Sequence, residues 1–463
     1  MHSLSDTPDV VRVLRAYGHL AILVAVALIE IAYAYPGYMN YDAADQLLQS
    51  RAHWITDYHP PFIVVYMRFF EVFVEGPLLL LVTQLAMFLW GVYTLLRVRF
   101  AKYPSACIAA AVLLFPPVFT TLAVVWKDSQ MAAFLVAGAA LAIRPRRVAR
   151  VAGLLLLAAA AAVRWNGGAA LPPLFLVAVV MAWPSLRRRW ARLAVVFALL
   201  GVTFVASSVL TRALTDKREY NWYRTTAVFD IVGMACHSSI TADEEFVKLL
   251  DGTGLKETHD LKARFCSLFP PGKRSWYEYS VLFTWPPTAT ERLARKHVWK
   301  EMLTSHPAAW LEGRIDLARD HLGLHADLAP WEPICQDFTG TELQREQLHV
   351  TSTHSSFQRW MGNTLRWFVD HGPLYRPWIY VVASLLLVGW AIWRRDLFVG
   401  CLVASGLAYQ VSIFLLANAP DFRFSHWMIT CVLVGLALRY AKPPISDSVP
   451  TALAASGTTR AVQ

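Results

Sequence analysis

Apolar runs and short arginine-rich connections alternate along almost the whole of this chain. The runs lie at about 18–35, 78–96, 105–124, 130–143, 150–163, 169–184, 191–210, 376–393, 397–417 and 425–440. A bilayer core of about 30 Å takes about 20 apolar residues of helix, so most of these runs can cross it, with 130–143 and 150–163 the shortest. The connections carry Arg97, Arg99 and Lys102, then Arg144, Arg146, Arg147 and Arg150, then Arg187, Arg188, Arg189 and Arg192, and later Arg394, Arg395, Arg439 and Lys442. Arg12 and Arg15 precede the first run. One segment decides the parity: "PPFIVVYMRFFEVFVEG" (60–76) is apolar but short, and it carries Arg68, Glu71 and Glu75. If it spanned, the later basic clusters would fall outside. Laid along the interface as an amphipathic helix, it leaves every basic cluster on the cytoplasmic side, as charge bias in short loops favours. The pattern predicts an all-α polytopic membrane protein of about 10–11 transmembrane helices, ten on the preferred count, with both ends inside.

That topology sorts the remaining polar residues. The outer face receives "NYDAADQ…DYHPP", "VVWKDSQ" (124–130), "VRWNGG" (163–168), a long segment 212–374, and "ANAPDFRFSH" (417–426). The chain divides into an N-terminal membrane module (1–211) whose first outer loop is 36–76, the extracytoplasmic segment 212–374, C-terminal membrane helices (375–441), and a polar tail (442–463) read as disordered and cytoplasmic. Within the outer segment, "HPAAWLEGRIDLARDHLGL" and "ADEEFVKLLDG" read as amphipathic helices, the second ending at Gly252. "CSLFPPGKRSWYEYS" and "FTWPPT" read as loops. Cys236, Cys266 and Cys335 share this region, where an oxidising compartment permits a disulfide between two of them. Cys107, Cys401 and Cys431 fall inside spans and act as small hydrophobes.

Composition agrees. Of 463 residues, 56% are hydrophobic and only 16% charged, too little charge for the surface of a soluble protein of this length. The net charge of +10 is concentrated in the short loops and does not call for nucleic acid. The first apolar run lacks a small-residue cleavage site and is read as a retained helix. No zinc or redox cysteine spacing, P-loop, dinucleotide fingerprint or internal repeat is present.

The chemistry concentrates at the mouth of the first span, in "MNYDAADQLLQSRAHWITDYHPPF" (39–62). From Asn40 the stretch reads as a short helix capped by Asn40 or Asp42. Asp42, Asp45, Gln46 and Gln49 share one face, and Leu47 and Leu48 lie towards the other, as in a helix on the membrane surface. Asp42 as cap and dipole partner, with Asp45 as a solvated acid, is the plain structural account. The functional account is a carboxylate at a water–membrane boundary serving as general base. Lys127, Arg164 and Arg423 lie on the same face and could hold a phosphate, arginine bidentately. Lys127 with Asp128, and Arg423 with Asp421, also fit interfacial capping pairs. His53 has no metal-ligand spacing and reads as an interfacial ring.

"YDAADQ" followed by "DYHPPF" resembles the first outer loop of GT-C type membrane glycosyltransferases, particularly the protein O-mannosyltransferases and lipid A aminoarabinose transferases. In that resemblance Asp42 matches the first acid of an Asp-Glu pair, and Asp57, His59, Pro60 and Pro61 match a following Asp-x-His-Pro-Pro motif. The interval after that motif is juxtamembrane in the family, as charge bias already suggests for 60–76. "WKDS", "RWNG" and "DFRFSH" resemble outer-face motifs of bacterial relatives, which adds Asp128, Asn166 and Asp421 to the candidate donor-binding residues. Ala43 stands where the family has Glu, so Asp45 either takes that role one turn later or Asp42 works alone. The arginine usual at the start of the next span is absent, which moves the phosphate contact to Lys127, Arg164 or Arg423. The likeness covers 1–210 and 375–440 loosely and leaves 212–374 unmatched.

The resemblance implies an inverting transfer of sugar from a polyprenyl-phosphate donor to a hydroxyl of a glycan, lipid or protein acceptor, at the periplasmic face of a bacterial inner membrane. Asp42 would be the base and Asp45 its partner or alternative. Asp57 and His59 would shape the site or merely fix the Pro-Pro turn. A divalent cation could be held by Asp42, Asp45 and Asp57, although nothing in the sequence demands one. The rival readings are a transporter or flippase for lipid-linked sugars, which would need charged or broken-helix features at mid-membrane, a surface-polysaccharide polymerase or ligase, and a scaffold built around 212–374.

Overall fold

The computed structural model describes residues 9–219, 222–272, 274, 281–325, 333–338, 340–350 and 353–441. The tail 442–463, and part of the loop expected at 266–280, lie outside the described residues. Among the described residues the chain is helical without a strand, and it carries several helices apolar enough to cross a membrane: this is an all-α polytopic membrane protein.

The helices are α1 (Asp9–Ala34), α2 (Tyr41–Ala52), α3 (Pro61–Glu71), α4 (Leu78–Leu96), α5 (Lys102–Leu113), α6 (Pro116–Leu122), α7 (Lys127–Ala142), α8 (Arg147–Val163), α9 (Leu171–Ala182) and α10 (Arg189–Leu214). The segment 212–374 supplies α11 (Ala227–His237), α12 (Asp243–Leu249), α13 (Leu261–Ser267), α14 (Ala289–Ser305), α15 (Pro307–His321), α16 (Glu342–Gln347) and α17 (Ser356–His371). The chain ends in α18 (Pro377–Arg394), α19 (Leu397–Leu416) and α20 (His426–Tyr440).

By length and composition, six helices among the described residues can cross a membrane: the Ala16–Ala34 part of α1, α4, α9 with the 3-10 turn that precedes it, α10, α18 and α19. The expected run 105–124 is broken. Pro116 and Pro117 end one helix and start the next, and α5 and α6 meet at 74°, so a seventh crossing depends on counting the bent pair as one. The runs expected at 130–143, 150–163 and 425–440 form α7, α8 and α20, of 16, 17 and 15 residues. They fall short of the about 20 residues that a full crossing takes. Almost all of α7 is buried, so it sits at the centre of the bundle, where it needs no lipid-facing length.

The segment 60–76 behaves as its charges predict. Helix α3 has 11 residues, about 17 Å of helix, and cannot cross. The residues that disqualified it tie it to α2: Arg51 Nη2 meets Glu71 Oε1 at 2.8 Å, and Arg68 Nε donates to the Ser50 carbonyl at 3.1 Å.

Successive helices run back and forth between two ends. At one end lie the α7–α8 and α9–α10 turns, joined by Arg150, whose guanidinium donates to the carbonyls of Met181 and Ala182, both at 3.4 Å. There too Arg99 meets Asp396 at 2.7 Å and the Leu438 carbonyl at 3.0 Å. The opposite end gathers the start of α2, the start of α7, the end of α8 and the loop before α20. Small residues allow this closeness. A Cβ on Gly91 would lie 2.8 Å from the backbone of α7, and one on Gly153 would lie 2.4 Å from Ala142 N.

The described part of 212–374 is helical, as expected. Helix α12 stops just before Gly252, which adopts φ +70°. Of the three cysteines in 212–374, Cys236 and Cys266 form the disulfide, joining α11 to α13, and Cys335 is buried. A pair between Arg314 and Asp230 at 2.6 Å, both almost fully buried, holds α15 on α11. Arg314 also donates to the Ala417 carbonyl, so this helix pair rests on the loop that carries Arg423.

Candidate functional site

Two backbone clamps set the geometry. Tyr38 and Val124 form a parallel bridge, with Val125 N donating to Tyr38 O at 2.9 Å, so the starts of α2 and α7 lie side by side. A buried glutamine relay supports it. Gln130 donates to Gln84 at 2.6 Å, and Gln84 donates to the Leu122 and Val124 carbonyls at 2.6 and 3.2 Å. The second clamp is the Thr56–Lys217 bridge, which fastens the end of the first loop to the segment after α10. Here Asp57 acts: its carboxylate accepts from Glu219 N.

Asn40, not Asp42, caps α2, its side chain accepting from Ala43 N at 3.1 Å. Asp42 is thereby left to other partners. Its Oδ2 accepts from Lys127 Nζ at 3.0 Å and from Arg423 Nη2 at 3.2 Å, and its Oδ1 lies 3.7 Å from His59 Nε2. Lys127 Nζ also lies 3.0 Å from His59 Nδ1. An ammonium can only donate, so Nδ1 is the acceptor and the neutral ring carries its proton on Nε2, facing Asp42. Arg423 is gripped from behind by Asp421 at 2.7 Å and approaches Asp128 at 3.9 Å. Asp128 in turn pairs with Arg164 at 2.7 Å and receives the Tyr409 hydroxyl at 3.4 Å. Aromatic faces complete the enclosure: Arg164 lies 4.5 Å over Phe424, and Arg423 lies 4.8 Å over Trp126.

Asp42, His59, Lys127, Asp128, Arg164, Asp421 and Arg423 therefore form one connected cluster, drawn from four places far apart in sequence. Their charges balance, Lys127, Arg164 and Arg423 against Asp42, Asp128 and Asp421. Accessibility does not. The side chain of Asp42 is 23% exposed, against 1% for Asp128 and 9% for Asp421, so Asp42 is the carboxylate that a substrate can reach. Burial alone would raise its pKa, but the Lys127 ammonium, His59 and the Arg423 guanidinium together hold it well below the usual carboxylate range. Burial pushes His59 down to about 3, with Lys127 acting in the same direction. Asp45 is shifted the other way: burial raises it, against a hydrogen bond from Gln49 at 2.7 Å.

Three candidates stand apart from the cluster's contacts. Asp45 bonds to Gln49, Asp57 serves the second clamp, and Asn166 lies half-buried in the 3-10 turn Trp165–Ala170. The surface-helix picture of α2 needs correction. Gln46 is fully buried together with Leu47, because α2 packs on more than one side, while Asp42, Asp45 and Gln49 keep partial exposure. His53 is the left-handed C-cap of α2 at φ 53°. No group of three His, Cys, Asp or Glu side chains among the described residues is placed to hold a metal, so Asp42, Asp45 and Asp57 do not form a ligand set.

Two further groups near this site carry no signal in the sequence. His321 of α15 is buried and contacts Ser425 Oγ at 3.1 Å, two residues beyond Arg423, and burial lowers it to about 4. Arg224 lies 5.0 Å over Tyr58 and 4.3 Å over Trp285, forming a wall beside the first loop. Neither belongs to a motif, and only the fold of the outer segment brings them in.

No family, curated protein or solved structure matches this chain on comparison.

Proposed function

We propose that the protein is an inverting glycosyltransferase of the bacterial inner membrane. It would move a sugar from a polyprenyl-phosphate donor to an acceptor hydroxyl at the periplasmic face. The observation that carries this reading is Asp42: a reachable carboxylate at a membrane boundary, flanked by Lys127 and Arg423 and faced by His59. The donor phosphate would enter beside Lys127 and Arg423 and compete with Asp42 for them, its prenyl tail remaining in lipid. Asp42 would then serve as base for the acceptor hydroxyl and as counter-charge to an oxocarbenium-like state. Asp45, with its raised pKa, is the alternative base, and His59 would orient Asp42. Arg164 and Asp128 would hold the cluster together from below.

The test follows donor consumption from a radiolabelled polyprenyl-phosphate hexose and pentose panel, with wild type and Asp42→Asn side by side. Label should leave the donor with wild type and fall about 10²–10⁴-fold with the variant. Equal turnover by both would transfer the role to Asp45 or out of this loop.

A second reading, a flippase for lipid-linked sugars, gains one specific observation. Glu30, inside the first span, is fully buried, and neither of its carboxylate oxygens has a hydrogen-bond partner among the described residues. An intramembrane acid of this kind is a common mark of transport. Donor crossing vesicle membranes without being consumed, and stopped by Glu30→Gln, would make this the leading account.

A further inference from the structure

The end of the bundle remote from Asp42 carries an arrangement that the proposed chemistry does not use. From Ser129 to Thr215 the chain contains no acidic residue. Arg144, Arg146, Arg147 and Arg150 lie in and just after the α7–α8 turn, and the stretch Arg187 to Arg192 around the α9–α10 turn supplies four more arginines. Arg150 joins the two turns through the Met181 and Ala182 carbonyls, and Arg192 Nε fixes the second turn on the Leu186 carbonyl at 2.6 Å. Arg187, Arg188 and Arg189 are exposed. None of the eight forms a salt bridge among the described residues, whereas every cation of the Asp42 cluster has a carboxylate partner.

Beside these arginines opens a groove of about 330 Å³, lined by Trp183, Ser185, Leu186 and Val195. Trp183 is 49% exposed and neighbouring Trp190 is 84% exposed, as suits aromatic side chains at a headgroup boundary. Helix α10, which starts here, is the most apolar of the crossing helices and buries little of its own surface, so the groove faces lipid.

Charge and shape together select the occupant. A free inorganic anion would answer the arginines but leave the apolar groove unfilled. A zwitterionic lipid would fill the groove but bring its own cation to a surface already rich in them. An anionic amphiphile answers both, and basic pockets between membrane helices are where such headgroups settle. We propose that this end of the bundle holds an anionic glycerophospholipid of its own leaflet, an acyl chain against Trp183, Leu186 and Val195 and the phosphate on Arg187, Arg188 and Arg189. The inference is independent of the reaction at Asp42.

The test uses purified full-length protein in detergent, titrated with phosphatidylglycerol or with phosphatidylcholine of the same acyl chains, and read as retained lipid by native mass spectrometry. Wild type should retain phosphatidylglycerol at least about tenfold more tightly than phosphatidylcholine. R187Q/R188Q/R189Q should weaken phosphatidylglycerol about a hundredfold and leave phosphatidylcholine unchanged. Leu186→Trp, which fills the groove and keeps the charges, should also release phosphatidylglycerol. R359Q/R366Q, at the other end of the molecule, should bind as wild type does. Equal retention of both lipids by wild type would overturn the proposal, as would unaltered binding by the triple variant. Loss in the triple variant with full binding by Leu186→Trp would also overturn it, reducing the site to diffuse surface attraction.

Discussion

Two isosteric substitutions separate chemistry from architecture in the charged cluster: Asp42→Asn and Asp128→Asn. Both remove one carboxylate charge from the same network, and under the proposed function they have opposite consequences. Asp128 is 1% exposed and holds Arg164 at 2.7 Å, with the Tyr409 hydroxyl on its other oxygen. Removing one partner of a buried pair costs about 3–5 kcal/mol, because the other charge is left in low dielectric. The side chain of Asp42 is 23% exposed, and Arg423 keeps Asp421 at 2.7 Å after the substitution. Solvent screening and that second acid reduce the cost to about 1–2 kcal/mol, most of it from Lys127. Catalysis should respond in reverse, with donor consumption falling about 10²–10⁴-fold in Asp42→Asn. Unfolding in mixed micelles, with denaturing detergent titrated against tryptophan fluorescence, measures the first effect. The radiolabelled donor panel measures the second. An Asp42→Asn protein as unstable as Asp128→Asn, with undiminished donor consumption, would refute the reasoning and make Asp42 a strut.

Further outcomes rest on the outer segment and the buried histidines. Histidines 59 and 321 are held at about 3 and about 4 by burial, against about 6.5 in an unfolded chain. Between those values the unfolded chain binds protons that the folded one does not. Stability is therefore complete above about pH 6.5 and lost as pH falls, at up to about 1.4 kcal/mol per unit for each histidine. Unfolding titrations at pH 7 and pH 5 should show that slope, and His321→Gln should flatten it; an unchanged slope contradicts the assignment. The Cys236–Cys266 bridge closes 30 residues of chain, so Cys236→Ser should destabilise the outer segment by about 3–4 kcal/mol, seen as faster proteolysis of 222–325. Arg314→Met should cost about 3–5 kcal/mol by stranding Asp230, and R314M/D230L should recover most of it in the same unfolding assay.

Hydropathy located the membrane helices because lipid enforces one rule everywhere, and Arg68 with Glu71 kept α3 out of the bilayer for the same reason. Span length was less legible. The break at Pro116 is visible in the letters, but its 74° angle is a packing outcome, and α7 is short because it is surrounded by protein. The charged cluster was legible as a set of polar residues stranded at one membrane face. Its pairing was not, since Asp42 meets Arg423 across 381 positions of sequence. Gln46 was misplaced for a related reason: periodicity shows which residues share a face, not how many neighbours cover it.

The contrast between the two ends of the bundle follows from what each must do with charge. An end exposed to water can leave arginines without carboxylate partners, because solvent and lipid phosphate supply the missing counter-charge. Where the Asp42 cluster sits, aromatic rings and helix ends exclude that solvent, so each cation must bring its own acid or be neutralised. A site that receives the proposed donor phosphate cannot satisfy all its cations permanently without refusing the ligand. Lys127 would meet this demand. Asp128 and Asp421 are committed to arginines at 2.7 Å, whereas Lys127 is shared between partly exposed Asp42 and the neutral ring of His59. It is the cation an incoming anion can take over with least loss, and Lys127→Met should therefore abolish donor binding while leaving the Arg164–Asp128 pair, and most of the fold's stability, in place. Donor retention by that variant, read by the same native mass spectrometry, would mean that the phosphate is held elsewhere and that Lys127 serves only to balance Asp42.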